Sequence, residues 1–355
     1  MAYTTINKSS LHINTNLYTG TGSNQNITGT GFAADLIWLK ERSHSDYHFL
    51  CDNVRGKGSN GHYYNLSSNA TGAESNQTTG INTIGSDGFS ITARGEMNEN
   101  GHTYASWNWK ANGSGSSNTA GGINSTVSVN TTSGFSIIKY TGNGSNGSSV
   151  GHGLGVVPQV LITKRRNSAD EWIVQHYKST TGNPWDDTYC VLNTTAARSG
   201  QKSVSGGYTP NANEFYVGND TVVNGSGSSY VTYAFVGKTG YSKFNSYTGN
   251  GNANGTFVYT GFKPSWIMIK RTDGANQWIM LNNKMSLYNN NTGDELYADS
   301  NAAQNSFTDG GADFLSNGFK LRGTNASVNG NNMNYIFMAF GQSIVGTNNI
   351  PATAR

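Results

Sequence analysis

The chain has 355 residues, 46 of them Gly, and only 12% are Asp, Glu, Lys or Arg, about half the share usual in a soluble domain. Hydrophobic residues still reach 35% and aromatics 11%, which excludes a disordered chain, and no apolar run approaches the about 18 residues needed to span a bilayer. A net charge of +3 is too weak to indicate a nucleic-acid partner, and two cysteines, Cys51 and Cys190, cannot build a disulfide framework and read as small buried hydrophobes.

Residues 1–14 read as an extended N-terminal arm, without the charged and apolar regions of a signal peptide. The unit at 15–112 opens on Tyr18-Thr-Gly-Thr-Gly22 and continues into the apolar strand Gly31-Phe-Ala-Ala-Asp-Leu-Ile-Trp-Leu-Lys40. It closes on Tyr104-Ala-Ser-Trp-Asn-Trp109. Between these, His44, Asp46 and His48 stand at alternate positions, so in a strand they would share a face suited to zinc. The competing assignment for His48 is packing, because Trp172 and Trp278 fill its position in the two later units. The Gly/Ser/Asn-rich stretch 113–133 predicts a flexible linker.

The second unit, 134–238, carries Tyr140-Thr-Gly-Asn-Gly144, then Gly155-Val-Val-Pro-Gln-Val-Leu-Ile-Thr-Lys164, and closes on Tyr230-Val-Thr-Tyr-Ala-Phe235. An insertion there, Pro184-Trp185-Asp186-Asp187, offers an aromatic ring and carboxylates to a sugar; it could equally cover the core beneath a loop. The two carboxylates also raise a glycosidase pair, but neighbours in sequence rarely flank one scissile bond. The third unit, 239–345, repeats the order with Tyr247-Thr-Gly-Asn-Gly251, Gly261-Phe-Lys-Pro-Ser-Trp-Ile-Met-Ile-Lys270 and Tyr335-Ile-Phe-Met-Ala-Phe340, and adds Tyr288 as a second candidate sugar-stacking ring. Residues 346–355 form a tail outside the repeat.

Tyr18 precedes Tyr104 by 86 residues, Tyr140 precedes Tyr230 by 90, and Tyr247 precedes Tyr335 by 88, so the chain is three copies of one unit. Apolar residues alternate with period two, and runs such as Leu36-Ile-Trp-Leu39 suit a sheet covered on both faces. Asn-Gly pairs at Asn100-Gly101, Asn224-Gly225 and Asn329-Gly330 suggest a hairpin turn before each closing strand. The fold expected is all-β, three tandem antiparallel β-sandwich modules of jelly-roll or lectin-like type; propeller blades are shorter, and three would not close a ring. Lys40, Lys164 and Lys270 recur at strand ends, where an ion pair or a cap on loop carbonyls is expected.

The Met1-Ala-Tyr-Thr-Thr-Ile start, the Tyr-Thr-Gly-Asn-Gly motifs and the Tyr335-Ile-Phe-Met-Ala-Phe340 to Ile350-Pro-Ala-Thr-Ala-Arg355 close together resemble a group of repeat-built virion structural proteins of marine tailed bacteriophages. The first unit departs from that pattern with Ala where Pro stands in the other two. The resemblance implies a tail-fibre-like or capsid-exterior protein of the virion, assembled in the host cytoplasm beside other virion proteins. It carries no catalytic residues and no cofactor. Host-surface carbohydrate is the expected ligand, with capsid decoration or cementing as the alternative and polysaccharide depolymerase a distant third. A homo-trimer is expected, with the arm as anchor or swapped strand.

Overall fold

The computed structural model describes residues 4–180, 182–285, 293–307 and 311–343. Tyr288 and the 346–355 tail lie outside them. The fold is all-β: among the described residues, α-helix occurs only as the four-residue turns Gly95–Asn98 and Thr221–Asn224.

One antiparallel strand order occurs three times. It runs Ile13–Thr19, Thr103–Trp109, Leu36–Glu41, His48–Asp52 in the first repeat. The second repeat has Phe135–Thr141, Ser229–Phe235, Val160–Arg165, Trp172–His176, and the third Ser242–Thr248, Asn334–Ser343, Phe262–Arg271, Ile279–Asn282. The register is the same each time, with Tyr18 opposite Tyr104, Tyr140 opposite Tyr230 and Tyr247 opposite Tyr335. A smaller sheet accompanies each: Gln25–Thr28, Gly88–Ile91 and Ile81–Gly85 in the first, Ser148–Gly151 with Glu214–Val217 in the second, and Phe257–Tyr259, Gly318–Arg322 and Gly311–Leu315 in the third.

Period-two alternation decides where each side chain goes. Ile37 and Leu39 pack with Ile27, Phe89 and Ile91 of the first small sheet. Leu36 and Trp38, on the other face of the same strand, enter a core shared by all three repeats. Trp266 and Met268 do the same from the third repeat, while Ile267 and Ile269 turn to their own small sheet. The large sheets thus meet around a common centre, where the void is only about 10 Å³, at the lower limit for one water.

The contacts between repeats are cyclic. The backbone N–H groups of Asp170, Asn276 and Asp46 donate to the carbonyls of Thr71, Thr195 and Asn301 in the neighbouring repeat, at 2.8, 2.7 and 2.8 Å. Glu74, Arg198 and Gln304 return the bond to the carbonyls of Arg166, Thr272 and Arg42, at 2.8, 3.1 and 2.7 Å. The second repeat therefore docks on the first, the third on the second, and the first on the third.

Two sequence expectations are corrected by this arrangement. The stretch 113–133 is not a flexible linker, because Ser116–Asn118 and Ser125–Asn130 are strands that extend the second large sheet from its Phe135–Thr141 edge. Nor does the arm reach away from the chain. Thr4 and Ile6 are buried, and Ser9 donates to Gln342 Oε1 from both its backbone N–H (3.1 Å) and its hydroxyl (2.9 Å), tying the arm to the third repeat.

Candidate functional site

The Tyr-Thr-Gly motif is structural. Tyr18, Tyr140 and Tyr247 stack on Tyr104, Tyr230 and Tyr335 with ring centroids 5.0, 5.1 and 4.9 Å apart. The following Gly20, Gly142 and Gly249 press on the turn before the closing strand. A Cβ there would stand 2.1, 2.5 and 2.3 Å from the carbonyl oxygens of Glu99, Gly225 and Gly330. The second glycines, Gly22, Gly144 and Gly251, have φ of 68°, 74° and 60°. That turn is organised by a fully buried Asn98, Asn224 or Asn329. The expected hairpin chemistry does not hold there: Gly225 has φ −57°, and the first repeat's counterpart is Asn98, not Asn100.

The strand-end lysines and the residues eight positions on build the seams. Lys164 and Lys270 are fully buried and donate across the seam to the carbonyls of Thr71 and Thr195, both at 3.0 Å. Lys40 is equally buried and donates to Glu41 O at 2.6 Å. Trp172 Nε1 donates to Ser67 O at 2.8 Å, and Trp278 Nε1 to Val191 O at 3.0 Å. His48 takes the third place, its Nε2 2.9 Å from Tyr297 O while its Nδ1 accepts from Trp38 Nε1 at 2.9 Å. Those bonds make the ring neutral with its proton on Nε2, and burial lowers its pKa well below the ordinary 6.5.

The zinc expectation for His44, Asp46 and His48 therefore fails: His48 is enclosed, while His44 and Asp46 lie on the loop beyond the strand. His44 turns instead to Glu41, and His102 joins it there. Sequence inspection missed that grouping because His102 lies in the segment just before the closing strand.

Trp185 is 4% exposed and packs in the second repeat's core, so it presents no face to a sugar. Its carbonyl accepts from Ser205 Oγ, and the Asp187 carboxylate accepts from the N–H groups of Ser205 (2.7 Å) and Gly206 (2.9 Å). Those bonds shape the inserted loop. Asp186 is exposed beside them.

The exposed rings are elsewhere. Tyr259 (52% exposed) and Tyr177 border an open groove of about 320 Å³ between the second and third repeats, with Lys238, Thr239 and Lys243. Lys243 Nζ lies 5.0 Å from the Tyr259 ring centroid. Tyr208, 51% exposed, stacks on Tyr216 at 5.2 Å. The exposed alternate positions of Phe257-Val-Tyr259 could have flagged Tyr259 in the sequence.

The buried lysines predict an alkaline response. Burial lowers Lys40, Lys164 and Lys270 to about 8 from 10.5. A lowered folded pKa favours the neutral form, so the stability it confers is complete above 10.5 and is lost as pH falls through about 8. Burial raises Cys51 from 9.0 to about 12 and Cys190 to about 11, which opposes the lysines above pH 9. The urea midpoint is accordingly expected to rise between about pH 8 and 9, and Lys270→Gln to reduce the rise by about a third. A flat profile would contradict it.

Comparison with protein-family models matches residues 8–343 to a family described as a domain of unknown function, DUF7483. No curated protein matches the chain, and no solved structure matches it.

Proposed function

This chain belongs to the DUF7483 family, and we propose that it is a non-enzymatic structural protein of a tailed-phage virion, displayed on the particle exterior and binding host-surface glycans. We read its paired sheets as three β-sandwich modules of lectin-like type, and its assembled form as a homo-trimer. The observation that carries the ligand class is the groove at Tyr259. An exposed aromatic ring offers its face to the apolar side of a sugar, and Lys238, Lys243 and Thr239 beside it supply donors to hydroxyls or to acidic sugar substituents. One such site is shallow, and several on an oligomer gain affinity through effective concentration.

Tyr259→Ala is expected to weaken binding to isolated host-surface polysaccharide about 3- to 10-fold with the urea midpoint unchanged. Trp185→Ala should instead lower stability, because its ring is enclosed. Equal binding by Tyr259→Ala and parent would remove the groove from the proposal. Release of reducing ends that disappears in Asp186→Ala would remove the non-enzymatic assignment.

A further inference from the structure

We propose that Glu41, His44 and His102 form a binding site for one divalent transition-metal ion of the zinc class. Their donor atoms all lie within 4.8 Å of one another. Glu41 Oε1 is the meeting point, 3.1 Å from His44 Nδ1 and 2.8 Å from His102 Nδ1. The two imidazoles stack in near-parallel planes, 3.9 Å between centroids and 19° apart, so both Nδ1 atoms reach the same oxygen from one side. Two imidazole nitrogens and a carboxylate oxygen are the donor set that zinc, cobalt(II) and nickel(II) accept, with open positions for water. Bonds of about 2.0–2.2 Å place such donors roughly 3.3 Å apart, close to the observed oxygen–nitrogen spacings. Because each imidazole binds in its own ring plane, the exposed His44 ring has to turn out of the stack for both Nδ1 atoms to face one ion.

The frame is rigid where it must be. Glu41 ends the Leu36–Glu41 strand with its side chain 3% exposed, and it sits opposite Tyr104, two residues beyond His102. His44, 61% exposed, lets an ion enter from solvent. His102 Nδ1 is buried and makes no hydrogen bond of acceptable geometry despite its approach to Glu41. That leaves the nitrogen without a satisfying partner and available to a ligand.

The internal repeat supplies an independent control. Counting from the strand-end lysine and the closing tyrosine, the same three places hold Arg165, Ser168 and Ser228 in the second repeat and Arg271, Gly274 and Met333 in the third. There the arginine pairs with a nearby carboxylate, Arg165 with Asp170 at 3.7 Å and Arg271 with Asp273 at 2.7 Å. In the first repeat all three positions differ together, an anion with two imidazoles standing where the others have a cation with non-ligating neighbours. Strand order and register around these positions are the same in all three repeats, so the backbone frame does not account for the difference.

The location gives the ion a task. The loop bearing His44 also carries the Asp46 and Arg42 backbone groups that bond to Asn301 and Gln304 of the third repeat. This seam has His48 where the other two have the larger Trp172 and Trp278. An ion held by Glu41, His44 and His102 would fasten the loop to the closing strand and so brace the seam that closes the ring.

The test is cobalt(II) and zinc titration of the full-length chain at about pH 7.5, followed by visible absorption and by calorimetry. One ion per chain is expected, with a cobalt d–d band displaced by zinc and a thermal midpoint several degrees higher at saturating zinc. His44→Ala removes an exposed ligand and leaves the fold intact; it should weaken zinc binding at least about tenfold, and His44→Ala with His102→Ala should abolish the band. Binding unchanged in that double variant, or no stoichiometric binding by the parent, overturns the site.

Discussion

Replacing Trp278 by Ala is expected to destabilise the protein by about 4 kcal/mol. The side chain is 2% exposed and lies in the core that all three repeats share. Truncation removes its contacts there and also leaves the Val191 carbonyl without the 3.0 Å bond it receives from Nε1. A Trp→Ala cavity costs about 3–5 kcal/mol, and a stranded buried acceptor about 1–3. Against a whole-domain stability of about 5–15 kcal/mol, such a loss leaves little margin. Trp278→Phe separates the contributions, since it keeps most of the ring and loses the N–H; about 1–2 kcal/mol is expected. Tyr47→Ala, at an exposed position on the first repeat, should stay within about 0.5 kcal/mol. Urea unfolding of the four chains measures all of this. A Trp278→Ala cost no greater than that of Tyr47→Ala would mean that the seam carries no stability.

How much of this the sequence revealed depended on whether side chains or backbone carry the feature. Leu36-Ile-Trp-Leu39 disclosed a sheet covered on both faces because alternate side chains enter different cores. The recurring lysines were visible as well, since a buried ammonium needs a long side chain at one place. The other half of each seam was not. Asn69-Ala-Thr71, Asn193-Thr-Thr195 and Asp299-Ser-Asn301 occupy equivalent positions, yet most of what they contribute is a backbone carbonyl, which any residue offers. The same indifference misled the expectation for 113–133. Gly, Ser and Asn favour flexible chain, but the open edge of Phe135–Thr141 pairs with any backbone that reaches it. Trp185 left two readings open, a sugar-stacking ring or a cover for the core beneath a loop, and the second holds: the ring packs in the core while Asp187 shapes the loop. The Glu41–His44–His102 grouping depends on Leu36–Glu41 lying beside Thr103–Trp109, a pairing across more than half of the first repeat.

The turn that each Tyr-Thr-Gly motif presses against should fail in a way that reports its hydrogen bonding. Asn329 is fully buried; its Oδ1 accepts from Asn250 N at 3.1 Å, and its Nδ2 is placed to donate to Asn250 Oδ1, Asn252 O and Gly323 O at 3.0, 3.0 and 2.7 Å. Asn224 repeats the pattern with Asn143, Ser145 and Gly218. Asn329→Ala strands the Asn250 N–H and the carbonyls of Asn252 and Gly323, while Asn250 Oδ1 keeps its bond from the Asn252 N–H; even with water reaching some of them, about 3 kcal/mol should be lost. Asn329→Asp keeps the shape but turns a donor into an acceptor facing three oxygens. At pH 7 it should cost at least as much as Ala, because a buried carboxylate adds charge to the mismatch. Protonation restores one donor, so the carboxyl introduced by Asn329→Asp would titrate above its ordinary value in the folded chain. A raised folded pKa confers stability that is complete below the unfolded value near about 4 and is lost as pH rises through the folded one. The Asn329→Asp chain should therefore recover part of its deficit relative to Asn329→Ala at about pH 4, by urea unfolding at the two pH values. If the gap between the two variants is independent of pH, the side chain at this position is not held by the oxygen cluster, and the turn is set by Gly249 and its backbone contacts alone.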